Sequence, residues 1–206
     1  ATRTNLRTMQ HGDGAADLDW SPDGQYVAIL TTDNDVRVYD ASDGSLYDTM
    51  EANGETAGEL AFSPDGTMLA VAGYRDGNNG DGQVEIFDAD TSSSTYGDVL
   101  ETLNPGSTVY YFSVGWSPDG SRLVVGGYEA IYIIDTDTWG SNRTISNAFS
   151  SLNSVQYSPD GNMISACSAW GGSNARARVY DALTGAQEWS YTTSTSCNDA
   201  AWSPDS

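Results

Sequence analysis

The residues with the most chemical reach in this 206-residue chain are few and scattered. Residues 75–83 read RDGNNGDGQ, and there Asp76, Asn78 and Asp81 offer side-chain oxygens on a glycine-rich loop, the donor type that a hard cation such as Ca²⁺ takes. Gly80 stands where the EF-hand spacing needs an acid, so the competing reading is a hairpin loop lengthened for no ligand at all. Tyr74, Tyr128, Trp139 and Trp170 are aromatics at or near loops, where a rigid ring can anchor a partner at little entropic cost. Asn142, followed by Arg143 and Thr144, reads as an N-glycosylation acceptor. A catalytic reading finds less. The chain has one histidine, His11, and two cysteines, and no His/Cys spacing recurs, so the common nucleophile, base and metal constellations cannot be assembled. The expectation is a chain that is not an enzyme.

What must position these residues is an array. WSPDG occurs at 20–24 and 116–120, FSPDG at 62–66, YSPDG at 157–161, and WSPDS closes the sequence. The serines fall at 21, 63, 117, 158 and 203, steps of 42, 54, 41 and 45 residues, the period of propeller blades. In each repeat an apolar strand ends in the aromatic. Pro then sets φ for a turn, Asp tolerates the next position, and Gly takes the positive φ that restarts a strand. A β-rich run, a second turn, a period-two stretch such as Val36-Arg37-Val38-Tyr39 and a fourth strand follow. The fold expected is all-β, a β-propeller of four-stranded antiparallel blades at about 15–56, 57–106, 108–149 and 152–195 in a single domain. Part of a further blade is expected at 197–206, with an N-terminal outer strand at about 4–10. The aromatics before the serines are expected to form core between blades, since stacked repeats bury a continuous core.

SPDG followed by VRVYDASDG, and again VYDALTG, resembles the WD-repeat family and its prokaryotic relatives, and the likeness covers almost the whole chain. Where the family's third strand ends in Trp-Asp, this chain has Tyr39, Phe87, Ile134 and Tyr180 before the Asp, and His11-Gly12 reverses the family's Gly-His pair. The family's hydrogen-bonded tetrad is therefore absent, although Asp33 matches its tight-turn Asp. The resemblance implies a non-catalytic interaction or assembly scaffold. The alternative is a propeller accessory to an enzyme, peptidase or lactonase-like, whose catalytic residues lie outside this chain. By the family's closure scheme, a blade begun at the C-terminus and an outer strand at the N-terminus imply a piece of a larger propeller of about seven blades, or completion by another copy or segment. In such blades Cys167, late in a second strand, and Cys197, just before a first strand, approach the same rim and are expected to form a disulfide.

Charge narrows the partners. Net charge is −21, and all eight basic residues are arginine. Nucleic acid and anionic membrane surfaces are disfavoured, because both are held by clustered cations, and no run of about 18 apolar residues is present to span a bilayer. The acidity fits a saline or marine source, as screening by salt removes self-repulsion. The expected location is extracellular or cell-surface, the alternative being the cytoplasm of a halophile.

Overall fold

The computed structural model describes residues 14–53, 56–74, 82–105, 110–128, 130–146, 152–168, 176–192 and 196–205. They form sixteen strands in four four-stranded antiparallel sheets, each a meander in chain order. The first sheet holds β1 (Ala15–Trp20), β2 (Tyr26–Thr31), β3 (Asp35–Asp40) and β4 (Leu46–Glu51). In the second are β5 (Thr56–Phe62), β6 (Met68–Tyr74), β7 (Gly82–Asp88) and β8 (Val99–Leu103). The third comprises β9 (Tyr111–Trp116), β10 (Arg122–Gly127), β11 (Ala130–Asp135) and β12 (Gly140–Ser146). β13 (Leu152–Tyr157), β14 (Met163–Ser168), β15 (Arg176–Asp181) and β16 (Gln187–Thr192) complete the fourth. These are the blades of an all-β propeller. Their first strands pack on one another in the order β1, β5, β9, β13, and among the described residues no contact of comparable extent returns from β13 to β1, so this succession is open.

Each serine turn is built the same way. In the first, Gly24 N–H donates to the Ser21 carbonyl at 2.8 Å, Ser21 Oγ donates to Asp23 Oδ1 at 2.6 Å, and Tyr26 N–H donates to Ser21 Oγ at 2.9 Å. Ser63, Ser117 and Ser158 repeat the pattern with Asp65, Asp119 and Asp160. All four serines are buried, so their hydroxyls replace water for the amide that opens the second strand. The four glycines have φ between 71° and 77°, a region open to glycine at no steric cost. Successive turns also touch. A Cβ on Gly66 would lie 3.4 Å from Pro22, one on Gly120 3.8 Å from Pro64, and one on Gly161 3.4 Å from Pro118. The four turns thus stand side by side on one rim, each joining the innermost strand of its blade to the next.

The core lies between blades. Ala28, Leu30, Val36, Val38 and Met50 of the first pack against Leu60, Leu69, Val71 and Phe87 of the second, and two further clusters repeat this for the later junctions. Hydrogen bonds stitch the innermost strands as well. Leu60 and Phe62 N–H donate to Asp17 and Asp19, and Trp116 Nε1 donates to the Ala61 carbonyl. Val155 N–H donates to Ser113 Oγ, whose hydroxyl donates to Glu59, a relay through three blades. Space at these crossings is tight: a Cβ on Gly58 would come within 2.9 Å of the Ala72 and Phe112 carbonyl oxygens.

Two expectations need correction. Trp116 and Tyr157 are core, but Trp20 is 54% exposed and so is Leu18, both on the innermost strand of a face whose Val27, Ile29 and Tyr39 are buried. Residues 198–202, expected as an innermost strand, form no strand, since they have no ladder partner. They nevertheless lie along the fourth blade. Cys197 N–H donates to the Ser168 carbonyl, Ser154 Oγ to Asp199, and Trp202 Nε1 to the Gln156 carbonyl. The proposed outer strand at about 4–10 falls outside the described residues.

Candidate functional site

The fold gathers reactive and sticky side chains at three places: the rim opposite the serine turns, the axis, and the clefts between blades on the serine-turn rim. On the opposite rim, β6 exits at Tyr74 and β10 exits toward Tyr128, as their equivalent sequence positions imply. Pairing of Gly127 with Tyr111 sets Tyr110 beside Tyr128. Tyr74 meets Tyr110 edge-on at 4.6 Å between ring centroids, and Phe112 lies 6.1 Å and 6.0 Å from the two. Tyr110 and Tyr128 are exposed. The result is an aromatic surface mounted on strand ends of two blades. Tyr110 and Phe112 are its unforeseen members. The signal was the run Tyr110-Tyr111-Phe112, whose alternation sends Tyr111 into the core and its neighbours outward.

Trp139 does not join that surface. It sits in the turn between β11 and β12, at the serine-turn rim, because the third strand runs back toward the end from which the second departs. There it packs edge-on against Trp116 at 6.3 Å and closes the junction of the second and third blades. Trp170 and the Ca²⁺ candidates Asp76, Asn78 and Asp81 lie outside the described residues. Asn142 is exposed on β12. Cys167 on β14 and Cys197 are at disulfide distance, Sγ–Sγ 2.03 Å and Cα–Cα 5.2 Å.

The axial cavity, about 430 Å³, is lined by Asp17, Asp19, Glu59, Gln156 and Asp199 among others. Burial raises the carboxyl pKa of Asp17 and Asp19 above the usual range against the lowering by their backbone donors. Glu59 goes furthest. Burial pushes it up to about 8, aided by the charges of Asp17 and Asp199 and opposed by the Ser113 hydroxyl. A serine beside a perturbed carboxylate is the pairing of a nucleophile and its base. Here Ser113 is wholly buried and its oxygen already accepts from Val155, which closes it to substrate. Among the described residues no three His, Cys, Asp or Glu side chains converge to hold a metal ion.

On the serine-turn rim the same inter-blade cleft occurs with different contents. Between the first and second blades it measures about 200 Å³ and is lined by Tyr26, Tyr96, Asp23, Asp65 and Asp90. Tyr47 links Tyr26 to Tyr96 at ring distances of 4.9 and 5.6 Å. Between the second and third, Met68, Trp116 and Trp139 fill it. Between the third and fourth it opens to about 390 Å³, lined by Arg122, Arg143, Tyr157, Asn142, Asp119 and Asp160. No single repeat foretells this cleft, since its walls come from two.

An all-β propeller with strand-end aromatics and no accessible catalytic pairing among its described residues defines the class of protein. The family model described as "WD domain, G-beta repeat" matches residues 140–181, and the one described as "Eukaryotic translation initiation factor eIF2A" matches residues 2–124, more than half of the chain. The chain belongs to the WD-repeat family, and over its first two and a half blades to the family that the eIF2A model describes. It is 30% identical over 146 residues to a WD repeat-containing protein of Synechocystis, covering 70% of this chain and 38% of that protein. It is 31% identical over 137 residues to WD repeat-containing protein VIP3 of Arabidopsis thaliana, covering 62% and 40%. A weaker likeness, 28% over 128 residues, is to dipeptidyl-peptidase 5 of Porphyromonas gingivalis, covering 56% of this chain and 18% of that one. The chain thus spans about two fifths of the length of the first two relatives.

Proposed function

We propose that the chain is a non-catalytic protein-interaction scaffold that takes its partner on the rim of Tyr74, Tyr110, Phe112 and Tyr128. The observation that carries this reading is the aromatic cluster itself. Its rings are fixed by the ends of paired strands, so binding costs little side-chain entropy, and aromatics of this kind dominate interface energy. Family membership supports the scaffold role. The faces with exposed Leu18 and Trp20 at one end, and Trp189 and Tyr191 at the other, are where a further blade, segment or copy would pack. An extracellular or cell-surface setting is proposed from the cysteine pair, since disulfides persist in oxidising compartments. Nucleic acid is not expected as a partner of a chain with net charge −21.

A photo-crosslinking residue in place of Tyr128, in the full-length protein in its own cells, tests the face. Defined protein adducts that vanish with Tyr110→Ala are expected, and adducts indifferent to Tyr110 would overturn the assignment. The likeness to a dipeptidyl-peptidase favours one second reading, a propeller that accompanies a catalytic domain. A hydrolase domain in the full open reading frame would establish it.

A further inference from the structure

The cleft between the third and fourth blades gathers positive charge from two strands of a strongly acidic chain. With eight arginines and no lysine against 29 acids, two arginines reach this one cleft from different strands, Arg122 at the start of β10 and Arg143 on β12. Arg143 crosses to the fourth blade and donates Nη1–H to the Thr184 carbonyl at 2.8 Å, leaving its other N–H groups for a ligand. Tyr157 stands between the blades, 8% exposed, and its buried hydroxyl has no hydrogen-bond partner. Such an orphan is costly and uncommon unless something completes it. Burial pushes the phenol pKa up to about 12, with the Arg122 charge opposing, so the hydroxyl keeps its proton as a donor.

The acids in the cleft are spoken for. Asp119 accepts from Ser117 and Ser121, and Asp160 from Ser158 and Asn162, and these bonds hold both carboxyl pKa values below the usual range. Two cations and two anions line the cleft, and the Asp181 charge acts on Arg143 from beside it. A monoanion gains the arginine forks and the phenol while adding one negative charge, whereas a dianion adds two and meets more repulsion. Pro118, Ala182 and the exposed Leu183 give the cleft an apolar wall that suits a side chain rather than a bare ion.

We propose that Arg122, Arg143 and Tyr157 form a carboxylate-binding site that receives an acidic group of a polypeptide partner, an Asp or Glu side chain or a chain-terminal carboxylate. The inference rests on the scaffold reading above, but it concerns the opposite rim. The arginines bind the two carboxylate oxygens and the Tyr157 hydroxyl donates the remaining bond. Asn142 lines the same cleft, so a glycan there would close it.

The test uses protein labelled with ¹⁵N-arginine, in which only eight residues give signals. Three short leucine-flanked peptides are titrated: a blocked one with a central Glu, the same with Gln, and the Gln peptide with a free C-terminus. Shifts confined to Arg122 and Arg143 with the Glu peptide assign a side-chain carboxylate. The same shifts with the free terminus alone assign a terminal one, and the blocked Gln peptide is expected to be silent. Arg122→Met should weaken binding about tenfold. Tyr157→Phe should also weaken it while leaving thermal stability unchanged or higher, which a merely structural tyrosine would not do. Silence with all three peptides overturns the proposal, and so does inorganic phosphate shifting the two arginines at lower concentration than the carboxylates. A protein that crosslinks through Tyr128 yet ignores carboxylates refutes this site alone. One that binds carboxylates but gives no Tyr110-dependent adducts refutes only the aromatic face.

Discussion

Replacing Glu59 by Gln should stabilise the protein, and more so at alkaline than at acidic pH. Glu59 ordinarily would titrate at 4.5, and burial beside Asp17 and Asp199 pushes it up to about 8. A carboxyl whose folded pKa is raised holds its proton more tightly when folded, so its penalty is absent below about 4.5, grows as pH rises, and is complete above about 8. The gap sets a ceiling of about 5 kcal/mol. Glu59 faces an open cavity, and water there lowers the expected cost to about 1–3 kcal/mol. Gln keeps an acceptor for the Ser113 hydroxyl, so the relay to Val155 survives. For a chain of this length the variant should melt about 2–10 °C above the native protein at pH 8, with the gap shrinking toward pH 5. The assay is thermal melting across that range, with Glu188→Gln on the exposed outer strand as a control for one lost charge. Equal midpoints at pH 8, or a gap that does not change with pH, would refute the buried-carboxyl account.

Ser63→Ala removes a buried hydroxyl that accepts from Met68 N–H and donates to Asp65, and should cost about 1–3 kcal/mol in urea unfolding, against nearly nothing if the turn stands without it. Intact mass without reduction should show Cys167 and Cys197 joined, and their removal should cost about 3–4 kcal/mol by the chain-entropy argument; two alkylatable thiols would end that expectation. Raising salt from low to molar concentration should raise the melting temperature, because the charge of −21 is self-repelling until screened; a fixed midpoint would deny it.

The blades were legible because each is announced by a local signal, the serine turn, whose four polar bonds close within six residues. What was not legible depends on neighbours. Whether Trp20 or Trp116 is buried is decided by the blade beside it, and the two motifs are alike in sequence. Trp139 follows a third strand whose direction had to be counted before its rim could be known. The arginine cleft joins Arg122, Arg143 and Tyr157 from two repeats, and the Glu59–Ser113–Val155 relay joins three, so neither has a contiguous signature. Tyr110 and Phe112 were hidden by their place at the start of a strand that otherwise reads as core.

The most direct measurement of the scaffold account is hydrogen exchange on the full-length protein with and without the partner captured at Tyr128. It predicts added protection at 74, 110–112 and 128, with the rest of the axial strands unchanged. Protection confined to the axial cavity, or none at the aromatic rim, would contradict it.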